Sequence, residues 1–178
     1  MNTTAPRPQP PTQPLKLFTI GVYGFTAAQY FHALEQARID TFCDIRSRRA
    51  VRGHEYSFAN SRRLQAQLRK LGIRYLHFKE LAPSQELRER QAAADQAAHI
   101  SRRKRTQLSP EFVAGYAEEC LRDFDAKEFR GRLGPEARRV VLFCVERDPE
   151  ACHRSLLAKR LQKDWKVEVI HLTPDSRA

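Results

Sequence analysis

No CxxC pair occurs among the four cysteines, Cys43, Cys120, Cys144 and Cys152, so nothing points to a zinc ribbon or a thioredoxin-like motif. No apolar run approaches the roughly 20 residues that cross a bilayer, and no stretch resembles a secretory leader. A cytoplasmic setting with reduced thiols and no membrane contact is therefore expected. No cofactor-binding motif is present. The nearest approach to a phosphate loop is the turn from Gly21 to Gly24, and such a turn alone more often makes a tight connection. Acidic residues are also scarce, with 21 Asp and Glu against 32 Lys and Arg, a formal net charge of +11. A surplus of that size favours polyanionic partners, nucleic acid first, although solvated basic faces would account for it too.

What is present fits one domain. A chain of 178 residues, 41% of them hydrophobic, can bury a single core. Residues 1–14 carry Pro6, Pro8, Pro10, Pro11 and Pro14, which remove backbone donors and bury nothing, so a proline-rich tail is expected there. Residues 15–173 would form the domain, with a basic helical segment at 84–107 and a short tail at 174–178.

Within the domain, strand patterns alternate with helix patterns. Leu15 to Val22, Asp40 to Ile45, Ile73 to Phe78, Val140 to Glu146 and Lys166 to Leu172 read as five strands. Thr26 and Gln29 form a capping box before one helix, Gly72 can end the next, and Ser109-Pro110 starts another. Ser84 to Arg105 reads as one helix, ending in Arg102-Arg103-Lys104-Arg105, where cations would suit the macrodipole. Asp148 and Pro149 read as the cap and first residue of the last helix. The alternation predicts an α/β, Rossmann-like three-layer fold with a mostly parallel five-stranded sheet, in the order 3-2-1-4-5. The continuous apolar run of the fourth strand suggests a central position.

Parallel strands share one carboxyl edge, and ligands bind beyond it. That edge should gather Gly21, Asp44, Arg46, Cys144, Glu146 and His171 from the ends of four strands. Cys152, His153 and Arg154 come from the start of the last helix, whose phase turns His153 inward. Arg48 and Arg52 follow Arg46 in an arginine-rich loop. Gly21, Arg46, Arg48, Arg52, Arg154 and His171 are the candidate anion-binding residues, since guanidinium forks and helix N-termini suit phosphate. Asp44, Glu146, Cys152 and His153 are the candidate catalytic residues.

Three chemistries fit these residue types. A thiolate nucleophile at Cys144 or Cys152 would gain acidity from the helix start, Arg154 or His153. Proton transfer by Asp44, Glu146 or His153 would serve an anion held by arginines. A metal set of Cys144, Cys152, His153 and His171 departs from standard zinc spacing, and no metal ligand is assigned. Alternatively the cysteines are packing residues, the expected state for Cys43, for Cys120 and for Cys144 in mid-strand.

At these positions the chain resembles a family of small proteins known only as a domain of unknown function, DUF488. The resemblance rests on Thr19-Ile20-Gly21, Asp44-Ile45-Arg46-Ser47, Phe58 and Gly72-Ile73-Arg74-Tyr75. Its most specific element is Cys144-Val145-Glu146 with Cys152-His153-Arg154, and His171 closes the pattern. The chain departs from the family in having Val22-Tyr23 in place of His-Ser and Leu81-Ala82-Pro83-Ser84 in place of a Leu-Gly-Gly element. The resemblance implies an α/β fold and a shared site without naming a reaction. The expected function is an enzyme acting on a phosphate-bearing substrate, or on nucleic acid, at the carboxyl edge of the sheet. The alternative is a non-catalytic nucleic-acid-binding module that uses the basic surface.

Overall fold

The computed structural model describes residues 14–175. Most of the proline-rich stretch and the last three residues lie outside them. Five strands form one parallel sheet: β1 (Lys16–Ile20), β2 (Thr41–Asp44), β3 (Arg74–His77), β4 (Arg139–Phe143) and β5 (Val169–Leu172). Six α-helices accompany them among the described residues: α1 (Ala27–Gln36), α2 (Ser61–Lys70), α3 (Gln85–Ala97), α4 (Pro110–Tyr116), α5 (Ala126–Leu133) and α6 (His153–Trp165). No helix among the described residues is long and apolar enough to cross a membrane.

The sheet order is β3-β2-β4-β1-β5, not the expected 3-2-1-4-5. β4 sits between β1 and β2, pairing Val141 with Phe18 on one side and with Phe42 on the other. The reason lies in the burial of the strands. β4 is the most uniformly apolar strand, and Val140, Val141, Leu142 and Phe143 are all fully buried. An interior slot covers a strand on both faces and both edges, and the central one is farthest from either open edge. β5, whose four residues are all partly exposed, takes an edge beside β1.

Alternation along the strands builds two cores. Phe18, Phe42, Val141 and Phe143 face α1 and α2, meeting Tyr30, Leu34, Leu64 and Leu68. Leu17, Cys43, Val140 and Leu142 face α5 and α6, meeting Phe129, Leu133, Leu157 and Leu161. The connections through α1 and α2 run one way along the sheet and those through α5 and α6 run the other way. The right-handed crossover rule then places the two helix pairs on opposite faces.

The local signals explain most boundaries. Thr26 and Gln29 form the capping box on α1, with Gln29 N–H donating to the Thr26 hydroxyl at 3.2 Å. Gly72 follows α2 at φ +70°, a left-handed turn that glycine adopts without strain. Ser109 caps α4 and Pro110 occupies its first turn.

Two helix boundaries differ from expectation. α3 stops at Ala97, and Arg102–Lys104 form a separate short 3₁₀ turn, so the basic run does not end a helix. His99 at φ +55° reverses the chain there, and the segment that follows turns back across the sheet edge. α6 starts at His153, not at Pro149. Pro149–Ala151 are a 3₁₀ turn in which Asp148 makes no side-chain cap, and Cys152 is the N-cap residue in extended conformation. Cys120, expected in the core, is only partly buried and lies against Leu87, Leu108 and Phe112 of a small satellite cluster.

Candidate functional site

The carboxyl edge gathers the expected residues, but the sheet sorts them onto two faces. Phe42 faces α1 and α2 and Cys43 faces α5 and α6, so Asp44 returns to the first face, where it meets Tyr75. Leu142 and Phe143 alternate in the same way, which puts Cys144 on the face that α6 covers. Asp44 and Arg46 therefore form one unit, and Cys144, Cys152 and His153 another, separated by the thickness of the sheet end.

The first unit is a closed ion pair. Arg46 grips Asp44 with Nε at 2.9 Å and Nη2 at 2.8 Å, and its backbone N–H adds a third bond at 3.1 Å. Tyr75 donates its hydroxyl to the same carboxylate at 2.7 Å, and the remaining Arg46 Nη1 donates to the Ala59 carbonyl at 3.2 Å. The guanidinium also lies 4.3 Å from the Phe143 ring centre. Burial opposes the charge on Arg46, but the hydrogen bonds and field of Asp44 outweigh it and raise its pKa. Burial and the neighbouring Asp44 push the Tyr75 phenol up to about 12.

Arg154 is likewise committed. It is fully buried, and its Nη1 and Nη2 donate to the carbonyls of Glu146 at 2.6 Å and Arg147 at 2.9 Å. Gly21 belongs to the same packing: a β-carbon there would lie 1.8 Å from the Glu146 carbonyl oxygen and 3.2 Å from Arg154 Nη1. Gly21 admits the close approach of the turn after β4. His171 Nδ1 sits 2.7 Å from the Thr19 hydroxyl on β1, and burial, aided by Arg154, lowers its pKa. Arg48 and Arg52 are exposed on the loop above.

The second unit holds the reactive groups. Cys144, Cys152 and His153 are buried, and their ligand atoms all lie within 4.8 Å of one another. His153 Nε2 is 3.2 Å from the Ile45 carbonyl, which can only accept, so that nitrogen carries the hydrogen. Nδ1 is thereby left facing both sulfurs, at 3.8 Å from Cys152 and 3.9 Å from Cys144. Tyr116 packs on the imidazole with ring centres 5.3 Å apart. Burial opposes ionisation of Cys152, but the Cys144 thiol, His153 and Arg154 outweigh it and hold Cys152 well below the usual thiol range. Cys144 moves the opposite way, raised well above that range by its hydrogen bond with Cys152 and by burial.

These three side chains are the residues that could hold a metal. Two thiolates and an imidazole are donors a soft cation takes, but a closed structural site uses four. His171, expected as a further ligand, is engaged with Thr19, and one Glu146 carboxylate oxygen is engaged with Arg102.

Glu146 stands beside the thiols and brings in residues that helix periodicity had hidden. Its Oε1 accepts from Arg102 Nε at 2.7 Å and faces Arg105 Nη2 at 3.4 Å. Its Oε2 is buried without a hydrogen-bond partner. Burial raises the pKa of Glu146 despite the pull of Arg102. Arg105 also pairs with Asp95 of α3 at 2.7 Å and donates to the Ala151 carbonyl at 3.0 Å. Leu108 N–H donates to the Glu150 carbonyl at 3.1 Å. Residues 98–109 are therefore strapped across the loop that carries Cys152. The signal for Arg102 and Arg105 was the basic run itself, and reading it as the end of a helix sent those side chains to solvent.

Outside the strap, Arg103 lies 5.3 Å and 5.4 Å from the ring centres of Tyr23 and Tyr56, and its Nη2 donates to the Arg52 carbonyl at 3.2 Å. Tyr23 is tied to the site by its N–H, which donates to the Val145 carbonyl at 3.0 Å. Arg48, Arg49, Arg52 and Arg103 make a basic rim around the closed centre.

The family model described as "Domain of unknown function DUF488" matches residues 26–161. The chain belongs to the DUF488 family. The matched span takes in Asp44, Arg46 and the whole Cys144–Arg154 element of this DUF488 protein, while β1, Gly21 and β5 with His171 lie outside it. No curated protein and no solved structure matches the chain.

Proposed function

We propose that the protein is an enzyme that uses the Cys152 thiolate as a nucleophile on a substrate carrying anionic groups, with phosphate-bearing molecules the leading class. The observation that carries this reading is the cluster at the start of α6. There a buried sulfur is flanked by a second thiol, an imidazole nitrogen free to exchange a proton, and a fully buried guanidinium. A thiolate is the reactive form of cysteine, and such surroundings are what favour it. Glu146, with one carboxylate oxygen unpartnered and a raised pKa, is placed to deliver a proton to a leaving group. The anion would be met by the exposed Arg48 and Arg52, since Arg46, Arg154 and Arg102 already hold protein partners. Access requires the strap at 98–109 to lift, and Arg102, whose side chain is largely exposed while its partner Glu146 is buried, is the part of the strap nearest solvent.

The test is site-resolved alkylation of the intact protein by iodoacetamide over a range of pH. Cys152 should label faster than Cys43 and Cys144, hold its rate as pH falls through the usual thiol range, and label faster still after Arg102→Ala. If Cys152 stays unlabelled in both proteins while Cys120 reacts, the reading fails.

A second reading has its own observation. The basic rim carries two aromatic rings, Tyr23 and Tyr56, in edge contact 5.1 Å apart with the Arg103 guanidinium over both, and charge beside aromatic rings is the combination that holds single-stranded nucleic acid. In that case Arg48→Glu, Arg52→Glu and Arg103→Glu would abolish salt-sensitive retention of a single-stranded oligonucleotide, and Cys152→Ser would not. Unchanged retention in the charge-reversed protein rules that reading out.

A further inference from the structure

We infer that Cys144 and Cys152 form a catalytic redox pair that reduces disulfides, with Cys152 as the attacking sulfur and Cys144 as the resolving one. The inference rests on the thiolate reading of Cys152 and adds the substrate class and the role of the second cysteine. Two arrangements carry it. The sulfurs face each other in one buried cluster, and His153 Nδ1 stands near-equidistant from both, at 3.8 Å and 3.9 Å. Packing alone would not need an imidazole aimed at two thiols with its other nitrogen fixed on the Ile45 carbonyl. That geometry lets one base serve both sulfurs in turn.

Cys144 directly follows β4 and Cys152 is the N-cap of α6, with a loop and a 3₁₀ turn between them. The two sulfurs therefore ride on separate elements joined by a short connection, and small shifts of that connection can bring them to bonding distance. The first half of the connection is held by Arg154 and by the Val22 and Tyr23 N–H groups, and the second half by the strap, through the Arg105 bonds to the Ala151 carbonyl and the Leu108 bond to the Glu150 carbonyl. Lifting the strap exposes Cys152 and releases the half of the connection that carries it, while the half next to Cys144 stays anchored.

The reaction balances without any further reagent than the disulfide itself. The Cys152 thiolate attacks one sulfur of a substrate disulfide, that S–S bond breaks, and the departing thiolate takes a proton from Glu146. A mixed disulfide with Cys152 remains. Cys144 then gives its proton to His153 Nδ1 and attacks the Cys152 sulfur. The mixed bond breaks, and the second substrate thiolate leaves with the proton from His153. The substrate gains two electrons and becomes two thiols, while Cys144 and Cys152 lose two and become joined. A dithiol reductant returns the pair to its starting state, and Glu146 recovers its proton from solvent. The basic rim suits disulfides bearing carboxylates, of which oxidised glutathione is the simplest probe.

The experiment uses the full chain, reduced and freed of reductant, exposed to oxidised glutathione at neutral pH. The expected result is loss of two of the four thiols and a Cys144–Cys152 linked peptide in a non-reducing digest. Cys144→Ser should stop at one glutathione on Cys152, and Cys152→Ser should not react at this site. Circular dichroism of each variant shows that it is folded. All four thiols persisting, a linkage through Cys43 or Cys120, or stoichiometric zinc released from the cluster of the purified protein would each overturn the proposal. Rapid alkylation of Cys152 with no disulfide formed would overturn the redox pairing alone and leave the nucleophile standing.

Discussion

Replacing Asp44 by asparagine separates a structural carboxylate from a catalytic one. Asp44 is fully buried and accepts four hydrogen bonds, three from Arg46 and one from Tyr75. Asparagine is nearly isosteric but turns one acceptor into a donor and leaves the buried guanidinium without its counter-charge. Removing one partner of a buried pair costs about 3–5 kcal/mol, and the remaining amide oxygen keeps the loss near the lower figure, about 3 kcal/mol. With a urea slope of about 2 kcal/mol per molar, the unfolding midpoint should fall by about 1.5 M. The measurement is urea denaturation followed by circular dichroism. Pairing the change with Arg46→Met removes the orphaned charge, so the double variant should be more stable than Asp44→Asn alone. The Tyr75 phenol, now at about 12, should titrate lower in Asp44→Asn, because the adjacent negative charge that raised it is gone. If the midpoint of Asp44→Asn matches the parent protein while activity disappears, the carboxylate belongs to the chemistry and the ion-pair argument is wrong.

Other substitutions probe the remaining parts. Gly21→Ala drives a methyl into the Glu146 carbonyl and should destabilise the protein by about 3 kcal/mol, the upper end for overpacking, again read from urea unfolding. Arg105→Ala strands Asp95, with which it shares about a tenth exposure, and should cost about 3–5 kcal/mol while raising amide exchange across residues 98–109; unchanged exchange there would mean the strap is held elsewhere. Glu146 has a folded-state pKa above its ordinary value. The native protein therefore binds an extra proton in that interval, and this contribution to stability is lost as pH rises from about 4.5 through the raised pKa. Glu146→Gln should flatten that part of the stability-pH curve, which thermal melts at stepped pH will show.

The alternation of strands and helices was legible because its signals are local. A capping box, a glycine after α2 and a Ser-Pro start each act within a few residues. The position of β4 was half legible: its unbroken apolar run argued for the centre, but which neighbours it takes depends on contacts between β1, β2 and β4 that no local pattern encodes. At the site, helical phase correctly turned His153 inward. It failed for Arg154, because an arginine is expected at the surface until its guanidinium finds two buried carbonyls. Arg46 was chosen for its fork, and that fork closed on Asp44 two residues away. The strap was missed because a run of basic residues after a helix-like stretch satisfies the macrodipole on paper, and only the turn at His99 reveals that the helix has already ended.

The placement of β4 has a consequence for how the chain reaches its native state. The strands it must lie between are complete by residue 44, yet β4 itself begins at Arg139. Until Arg139 to Phe143 have been made, β1 and β2 have no common partner, and each presents an unpaired apolar edge. Pairings of such sequence separation close slowly, and open strand edges invite association with other chains. Closure of the sheet should therefore wait for β4 to be made. Fragments that stop before Arg139 should be sticky rather than half-folded, and a chaperone that shields strand edges should raise the yield of the complete chain more than one that acts on helices.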